Sequence, residues 1–505
     1  MTLTTQGVAA AVRRAQPPIL LAALMVIASW PAPAAAEAPV DDDLRRRLDA
    51  LADEVDRLRK APAGRAPADA PAGAPAGAPA GAPVAAPAAA PLAAEGAPPF
   101  PGSRLRDHGL QGWSLGGYGE VLVSTRFFGP DPNKEYGAGS FRQTDVDLAR
   151  VVLFLGYDFT NWLSFRSEIE IEHGGTGAAM EIEWEEFGEF EQEIEKGGEI
   201  VLEQAFLELR LGRDHGLPLD LGLRIGHLLV PVGMISGYHL PTMFAATRRP
   251  ESEKALIPST WHETGAEFFL NWKGLRFQLQ GITGLDSTGF SSAGWIAGGT
   301  QRRFEAVTSN DWAVAARLDY AGIPGLIFGG SFYTSDTTGN RPKRDMEGVE
   351  ARVFLGDLHL RYQHGPFRLA AQGMMGWLGN ADRITTRNAS LAKALGAPRT
   401  PVGSGVYGAF LEGALNVLGL ADPWSRHRLD AFARYDAYDT MWKPPVAGSG
   451  FDNPLLQRQV LTAGLNYYPH PRVVLKGEYV SRWLNKDGDW ARRQQEMNFA
   501  LGFVL

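Results

Sequence analysis

The chain has 505 residues, no cysteine, 59 glycines, 13 tryptophans and a formal net charge of −8. A mean hydropathy of −0.16 excludes a bundle of membrane-spanning helices, and the acidic balance excludes a nucleic-acid partner, which needs a basic face. A chain without disulfides fits an exported bacterial protein.

Residues 1–36 read as a secretory signal. Arg13 and Arg14 precede the apolar stretch "ILLAALMVIASW", and "APAAA" offers small residues for cleavage after Ala36. The apolar stretch is too short for a span, which takes roughly 20 residues. Residues 37–60 predict a short coiled coil. Leu44, Leu48, Leu51, Val55 and Leu58 follow the 4–3 spacing of a seam. Asp41, Asp42 and Asp43 stand at the helix start, where negative charge is favoured. So short a seam holds copies together only when something else already gathers them; the alternative is an amphipathic helix lying on its own chain. Residues 61–110 are an Ala/Pro/Gly-rich linker with a "PAGA" repeat, a composition that builds no core.

From residue 111 to 505 the apolar period is two. In "LSFRSEIEIEH", Leu163, Phe165, Ile169 and Ile171 share one face while Arg166, Glu168, Glu170 and Glu172 share the other. "LDLGLRIG" and "VVLKGEYVSR" repeat the pattern. We predict sixteen strands, centred near 118, 150, 168, 206, 223, 266, 279, 315, 330, 356, 371, 411, 432, 462, 477 and 499. Most are longer than the roughly 5–6 residues of soluble strands. Length, even count and alternation predict an all-β fold: a 16-stranded antiparallel transmembrane β-barrel. Short turns are expected at 158–162, 271–274, 364–367 and 469–472, and long loops at 124–143, 173–200, 229–260, 284–309, 377–403 and 438–456. That asymmetry assigns the short turns, the N-terminal extension and both barrel ends to the periplasm of a bacterial outer membrane. The last strand, "EMNFALGFVL", is expected to close the barrel on "GWSLGGYGEVLV" with Met497, Phe499, Leu501, Phe503 and Leu505 toward lipid. Its aromatic ending resembles an outer-membrane assembly signal.

Several phrases carry a resemblance: "GGYGEVLVS", "LGYDFTNWLSFRSEIEIEH", "VLEQAFLELRLG", "HLLVPVGMISGYHLPTMFAATRRPESEKALIPSTWHETGAEFF" and "GLNYYPHPRVVLKGEYV". In order over about 110–505, they resemble the phosphate-selective porin O and P family. The resemblance implies a sixteen-stranded trimeric barrel, in some relatives preceded by a coiled coil, with arginines of an inward third loop conducting anions. The matching loop, 229–260, holds Arg248, Arg249 and Lys254 but also Glu251 and Glu253, so its charge nearly cancels. With ten lysines in the whole chain, the residues point to weak charge selectivity rather than to phosphate.

The expected function is an outer-membrane porin, passing small hydrophilic solutes or ions by passive diffusion. Candidate pore-lining residues are Arg150, Arg166, Glu168, Glu170, Glu208, Arg210 and Arg224, of mixed sign on neighbouring strands; a barrel wall also needs such residues merely for wetting. The candidate constriction loop carries His239, Arg248, Arg249, Glu251, Glu253 and Lys254, with prolines that stiffen it against helix or strand. "EIEWEEFGEFEQEIEKGGE" at 181–199 holds nine Glu and one Lys. It reads as a solvated acidic loop, or as a mouth gathering cations or divalent ions bridging lipopolysaccharide. Phosphate-loop, zinc-cluster and nucleophile-elbow motifs are absent; no enzyme activity, cofactor or metal is expected. Two alternatives stay open: an outer-membrane barrel hydrolase, and a surface receptor or adhesin with a closed lumen. Expected partners are outer-membrane lipid and lipopolysaccharide, the barrel-assembly machinery, further copies in a homotrimer, and small ions or solutes.

Overall fold

The computed structural model describes residues 103–104, 112–128, 141–174, 181–184, 190–193, 198–211, 219–301, 306–391, 397–422, 425–446, 451, 453–486 and 489–505. All belong to the compact unit Pro83–Leu505. The predicted signal, coiled coil and most of the linker lie outside the described residues.

Sixteen long strands form one closed antiparallel ring. They are β1 Trp113–Phe128, β2 Phe141–Asp158, β3 Leu163–Glu172, β4 Glu199–Arg210, β5 Asp220–Leu229, β6 His262–Trp272, β7 Leu275–Thr283 and β8 Trp312–Ile323. The second half comprises β9 Leu326–Ser335, β10 Val353–His364, β11 Phe367–Leu378, β12 Gly405–Asn416, β13 Arg428–Lys443, β14 Gln457–His470, β15 Val473–Lys486 and β16 Asp489–Val504. Each strand pairs with its sequence neighbours, and β16 closes on β1 with Val504 opposite Tyr118 and Gln495 opposite Phe127. Every predicted strand centre falls inside one of these elements. A two-residue strand, Ser103–Arg104, also pairs with β1.

Closure leaves no edge strand, so backbone groups are satisfied within the wall, as a lipid environment requires. The outer face is apolar right around the ring: Leu153, Leu207, Ile225, Phe328, Leu411 and Phe499 are exposed, and Leu358 is 75% so. Exposed aromatics gather at both ends, with Trp113, Trp162, Trp272, Phe367 and Tyr467 near the short turns and Phe127, Trp312, Trp377 and Trp442 at the other end. An apolar band between aromatic girdles is the exterior of a barrel that sits in a bilayer. Among the described residues no helix is long and apolar enough to cross a membrane; the crossing is made by strands.

The connections depart from strict alternation in three places. Residues 211–219 and 417–427, after β4 and β12, are longer than tight turns, and the second carries a short helix at Val417–Ala421. The β15–β16 connection is two residues, 487–488, where alternation predicts a long loop. One further long connection, 336–352, was not among the six expected. The acidic segment is not one continuous loop: Glu181–Trp184 pairs with Phe190–Glu193 as a separate small hairpin, and Glu199 already belongs to β4. In β4, Glu203 is an extra residue opposite the Glu168–Ile169 step, a bulge that turns it inward out of phase.

Inside the barrel the long loops form a core of their own. Phe290, Trp295 and Ile296 from 284–311, Met346 and Ala351 from 336–352, and Ile384 and Val402 from 379–404 pack on Ile282, Tyr333, Leu355, Met374 and Val406 of the wall. The far ends of β7–β12 are therefore apolar on their inner face, where alternation alone predicts polar residues.

Candidate functional site

The connection 230–261 enters the barrel and crosses it. Its two limbs start together, with Val230 N donating to Trp261 O at 2.8 Å. Val230, Val232, Leu256, Ile257 and Trp261 are buried in the loop core, and the Trp261 ring lies 4.6 Å from that of Tyr333. Beyond this root, polar contacts are added to three smaller apolar clusters, Met234 and Tyr238 on Phe410, Leu240 on Tyr118 and Phe154, and Ala245 and Ala246 on Phe432. Arg317 on β8 donates to Gly233 O at 2.5 Å. The Glu253 carboxylate joins the limbs by accepting from Met234 N at 3.0 Å and Ile235 N at 2.9 Å. Burial pushes that carboxyl up to about 7, helped by nearby Asp357 and opposed by the two amides.

The tip reaches the opposite wall. On β15, Glu478 accepts from Thr247 N at 2.7 Å and from its hydroxyl at 2.5 Å. Lys476 donates to Ala246 O at 2.8 Å and Phe244 O at 3.0 Å. On β13, Asp436 accepts from Ser252 N at 3.2 Å and Ser252 Oγ at 2.9 Å. Close approach needs bare backbone in the wall. A Cβ at Gly408 would lie 2.5 Å from Ser252 O, and one at Gly502 would lie 2.5 Å from Pro241 Cβ.

The loop residues proposed from sequence take distinct places. His239 Nε2 is 3.2 Å from Glu168 Oε1 on β3. Arg248 reaches Glu496 at 3.5 Å and Ser124 at 3.3 Å. Arg249 is 6% exposed and turns back on its own loop, donating to Ser259 at 2.8 Å and to Thr260. Glu251 accepts from Arg482 Nε at 2.9 Å and Tyr438 Oη at 3.1 Å. Burial opposes its charge, but Arg482 outweighs burial and holds the carboxyl below its ordinary value. Lys254 is exposed. Stiffening by proline does not keep the loop free of helix: Pro250 instead opens a single turn, Glu251–Lys254, because the first turn needs no proline N–H.

On the wall, a charge ladder follows the strand register. Glu208 lies opposite Arg224, and Arg224 opposite Glu267. Glu208 accepts from Arg210 at 2.7 Å and Arg224 at 2.8 Å, and Arg224 donates onward to Glu267 at 2.6 Å. Arg166 donates to Asp158 at 2.5 Å. Glu168 is 0% exposed and accepts from Gln204 at 2.5 Å. Arg150 pairs with both Glu120 and Glu170 at 3.1 Å.

Between this wall and loop residues 231–243 lies a cavity of about 250 Å³. Arg166, Glu168, Glu208, Arg210, Arg224 and His239 line it; Arg150, Glu170 and the other five loop residues do not. Sequence reasoning missed Gln204 of β4, Glu267 and Asn271 of β6, Arg276 and Gln278 of β7, and Arg317 and Asp319 of β8, which also line it. The signal on β7 and β8 was the ordinary inward alternation of "LRFQLQ" and "AARLD". Among the described residues no group of three or more His, Asp or Glu is placed to hold a metal ion.

No protein-family model matches the chain, so the phosphate-selective resemblance gains no support from that side. An uncharacterized protein of Aquifex aeolicus (strain VF5) is 29% identical over 373 residues, spanning 73% of this chain and 76% of that protein. Among solved structures, the anion-selective porin from Comamonas acidovorans aligns with a TM-score of 0.45 and 11% identity, covering 78% of this chain and 99% of that one. The outer membrane channel DcaP of Acinetobacter baumannii gives 0.45 and 10%, covering 78% and 98%. OprB of Pseudomonas putida gives 0.44 and 9%, covering 79% and 95%. The barrel assignment stands on the chain's own strand register rather than on these likenesses.

Proposed function

We propose that the protein is an outer-membrane porin through which small hydrophilic solutes or ions diffuse passively, with weak charge selectivity. The observation that carries this reading is a lipid-facing barrel whose inner wall is charged and whose third long loop crosses the interior, leaving a polar cavity at its side. In this reading the candidate wall residues line the path and loop 230–261 narrows it. Weak selectivity follows from the way cations and carboxylates alternate along the ladder. Purified protein in a planar bilayer should give stepwise conductance and a small reversal potential under a salt gradient. Consistently silent bilayers would remove the porin reading. A strong phosphate block of chloride current, lost on changing Arg248 and Arg249 to Ala, would replace weak selectivity with the chemistry of the resembling family.

Silent bilayers would favour the second reading, a receptor or adhesin with a closed lumen. The apolar core that the loops build inside the far end of β7–β12 is what supports it. Assembly as a homotrimer, with periplasmic extensions joined along the seam at 44–58, belongs to the first proposal. Changing Leu48, Leu51 and Val55 to Asp should abolish crosslinking between extensions while barrel trimers persist; unchanged crosslinking would mean that the seam packs only on its own chain.

A further inference from the structure

The cavity beside the third loop is not evenly wetted. Five guanidiniums and four carboxylates face it. Four of the guanidiniums are already engaged: Arg166 with Asp158, Arg210 with Glu208, Arg224 with Glu208 and Glu267, and Arg317 with Asp319 at 2.8 Å. The fifth, Arg276 on β7, has no hydrogen bond or ion pair among the described residues and is only half-buried. Across the same space the loop and β5 present Leu228, Leu240 and Met243. Of the phenylalanines that line it, Phe269 and Phe206 carry the Arg224 guanidinium 4.6 Å and 5.6 Å from their ring centres, and Phe154 packs in a buried cluster with Tyr118, Val152 and Leu240. What remains open is one uncommitted cation facing an aliphatic patch, in a space of about 250 Å³. Inorganic ions leave the patch unused, and neutral solutes leave the guanidinium unpaired.

We propose that this cavity is a binding site for small organic monocarboxylates, with the carboxylate on Arg276 and an apolar body against Leu228, Leu240 and Met243. A guanidinium fork matches a carboxylate in two parallel hydrogen bonds, and an apolar body gains from leaving water. The proposal names a solute class for the pore reading and rests on that reading only for how the solute arrives.

The test is equilibrium dialysis of the full chain, folded in detergent, against labelled benzoate. Saturable binding is expected. Acetate, which has the charge without the ring, and benzyl alcohol, which has the ring without the charge, should each compete at least about tenfold more weakly. Arg276→Gln should weaken benzoate about tenfold or more, the scale of a charged hydrogen bond, and Arg276→Lys should restore part of it. Met243→Gln should weaken benzoate but not acetate. Gel mobility before and after heating establishes that each variant is a folded barrel. Benzoate binding unchanged in Arg276→Gln would overturn the proposal. So would acetate or inorganic phosphate competing as well as benzoate, since the site would then read charge alone. Binding without bilayer conductance would sink the pore reading and leave this site standing; conductance without binding would do the reverse.

Discussion

The root of the third loop and its tip are held by different forces. The root, Val230–Val232 with Leu256–Trp261, is buried among apolar side chains from the wall and three other loops. The tip, from His239 to Ser252, touches Glu168, Glu478, Lys476, Asp436 and Arg482 through hydrogen bonds and ion pairs. Apolar packing at the root is indifferent to salt and nearly indifferent to pH. The tip answers to both, because its apolar contacts through Leu240, Ala245 and Ala246 are small and most of its other anchors include a charge.

The sharpest way to break the contrast is to hollow the root. Trp261→Ala should cost about 3–5 kcal/mol, the usual range for a fully buried aromatic, read as a lower melting temperature of the folded barrel. A loss under about 1 kcal/mol would mean that the root is not a core. The junction between root and tip should titrate. Folding raises the Glu253 carboxyl from 4.5 to about 7, so the folded state holds that proton more tightly than the unfolded chain does. Its stabilising contribution is full below about pH 4.5 and is lost as pH rises through about 7, a total near 3 kcal/mol. Melting curves between pH 4 and pH 9 should show a larger fall in the wild type than in Glu253→Gln, and equal falls would mean that Glu253 does not carry it.

Smaller effects belong to the tip. Glu478→Gln leaves Thr247 with a weaker acceptor and should cost about 1–2 kcal/mol, with noisier single-channel current as the tip gains freedom; quiet, unchanged current would show that the tip does not depend on this contact. Arg248→Ala should be the mildest. Its 3.5 Å pair with Glu496 is partly exposed and such pairs contribute under about 1 kcal/mol. A larger loss of stability would place Arg248 among the anchors.

The wall was legible in the sequence because period-2 alternation repeats on every strand and lipid enforces it without interruption. The same alternation hid the site. Lys476, Glu478 and Arg482 stand out as a polar face of β15, yet nothing local distinguishes a residue that grips a loop from one that merely wets the wall. Arg276 was invisible for the same reason. Glu203 was hidden by a bulge, which breaks the very period used to read it. The loop core was missed because Phe290, Trp295 and Ile384 follow no period, and what joins them is three-dimensional proximity.

The seam between β1 and β16 also bears on how the molecule comes into being. Tyr118 faces Val504 across it, so the pair that seals the ring joins the two most distant strands of the sheet. Contacts between positions so far apart in sequence form late and slowly. Until they form, β1 and β16 are open edges, and the apolar exterior has no partner but water or another chain. The hazardous interval in this protein's life is therefore the wait before sealing. A substitution that slows the seam, such as a side chain at Gly119 driven against the Phe503 ring, should lower the yield of inserted barrel far more than it lowers the stability of barrels already made.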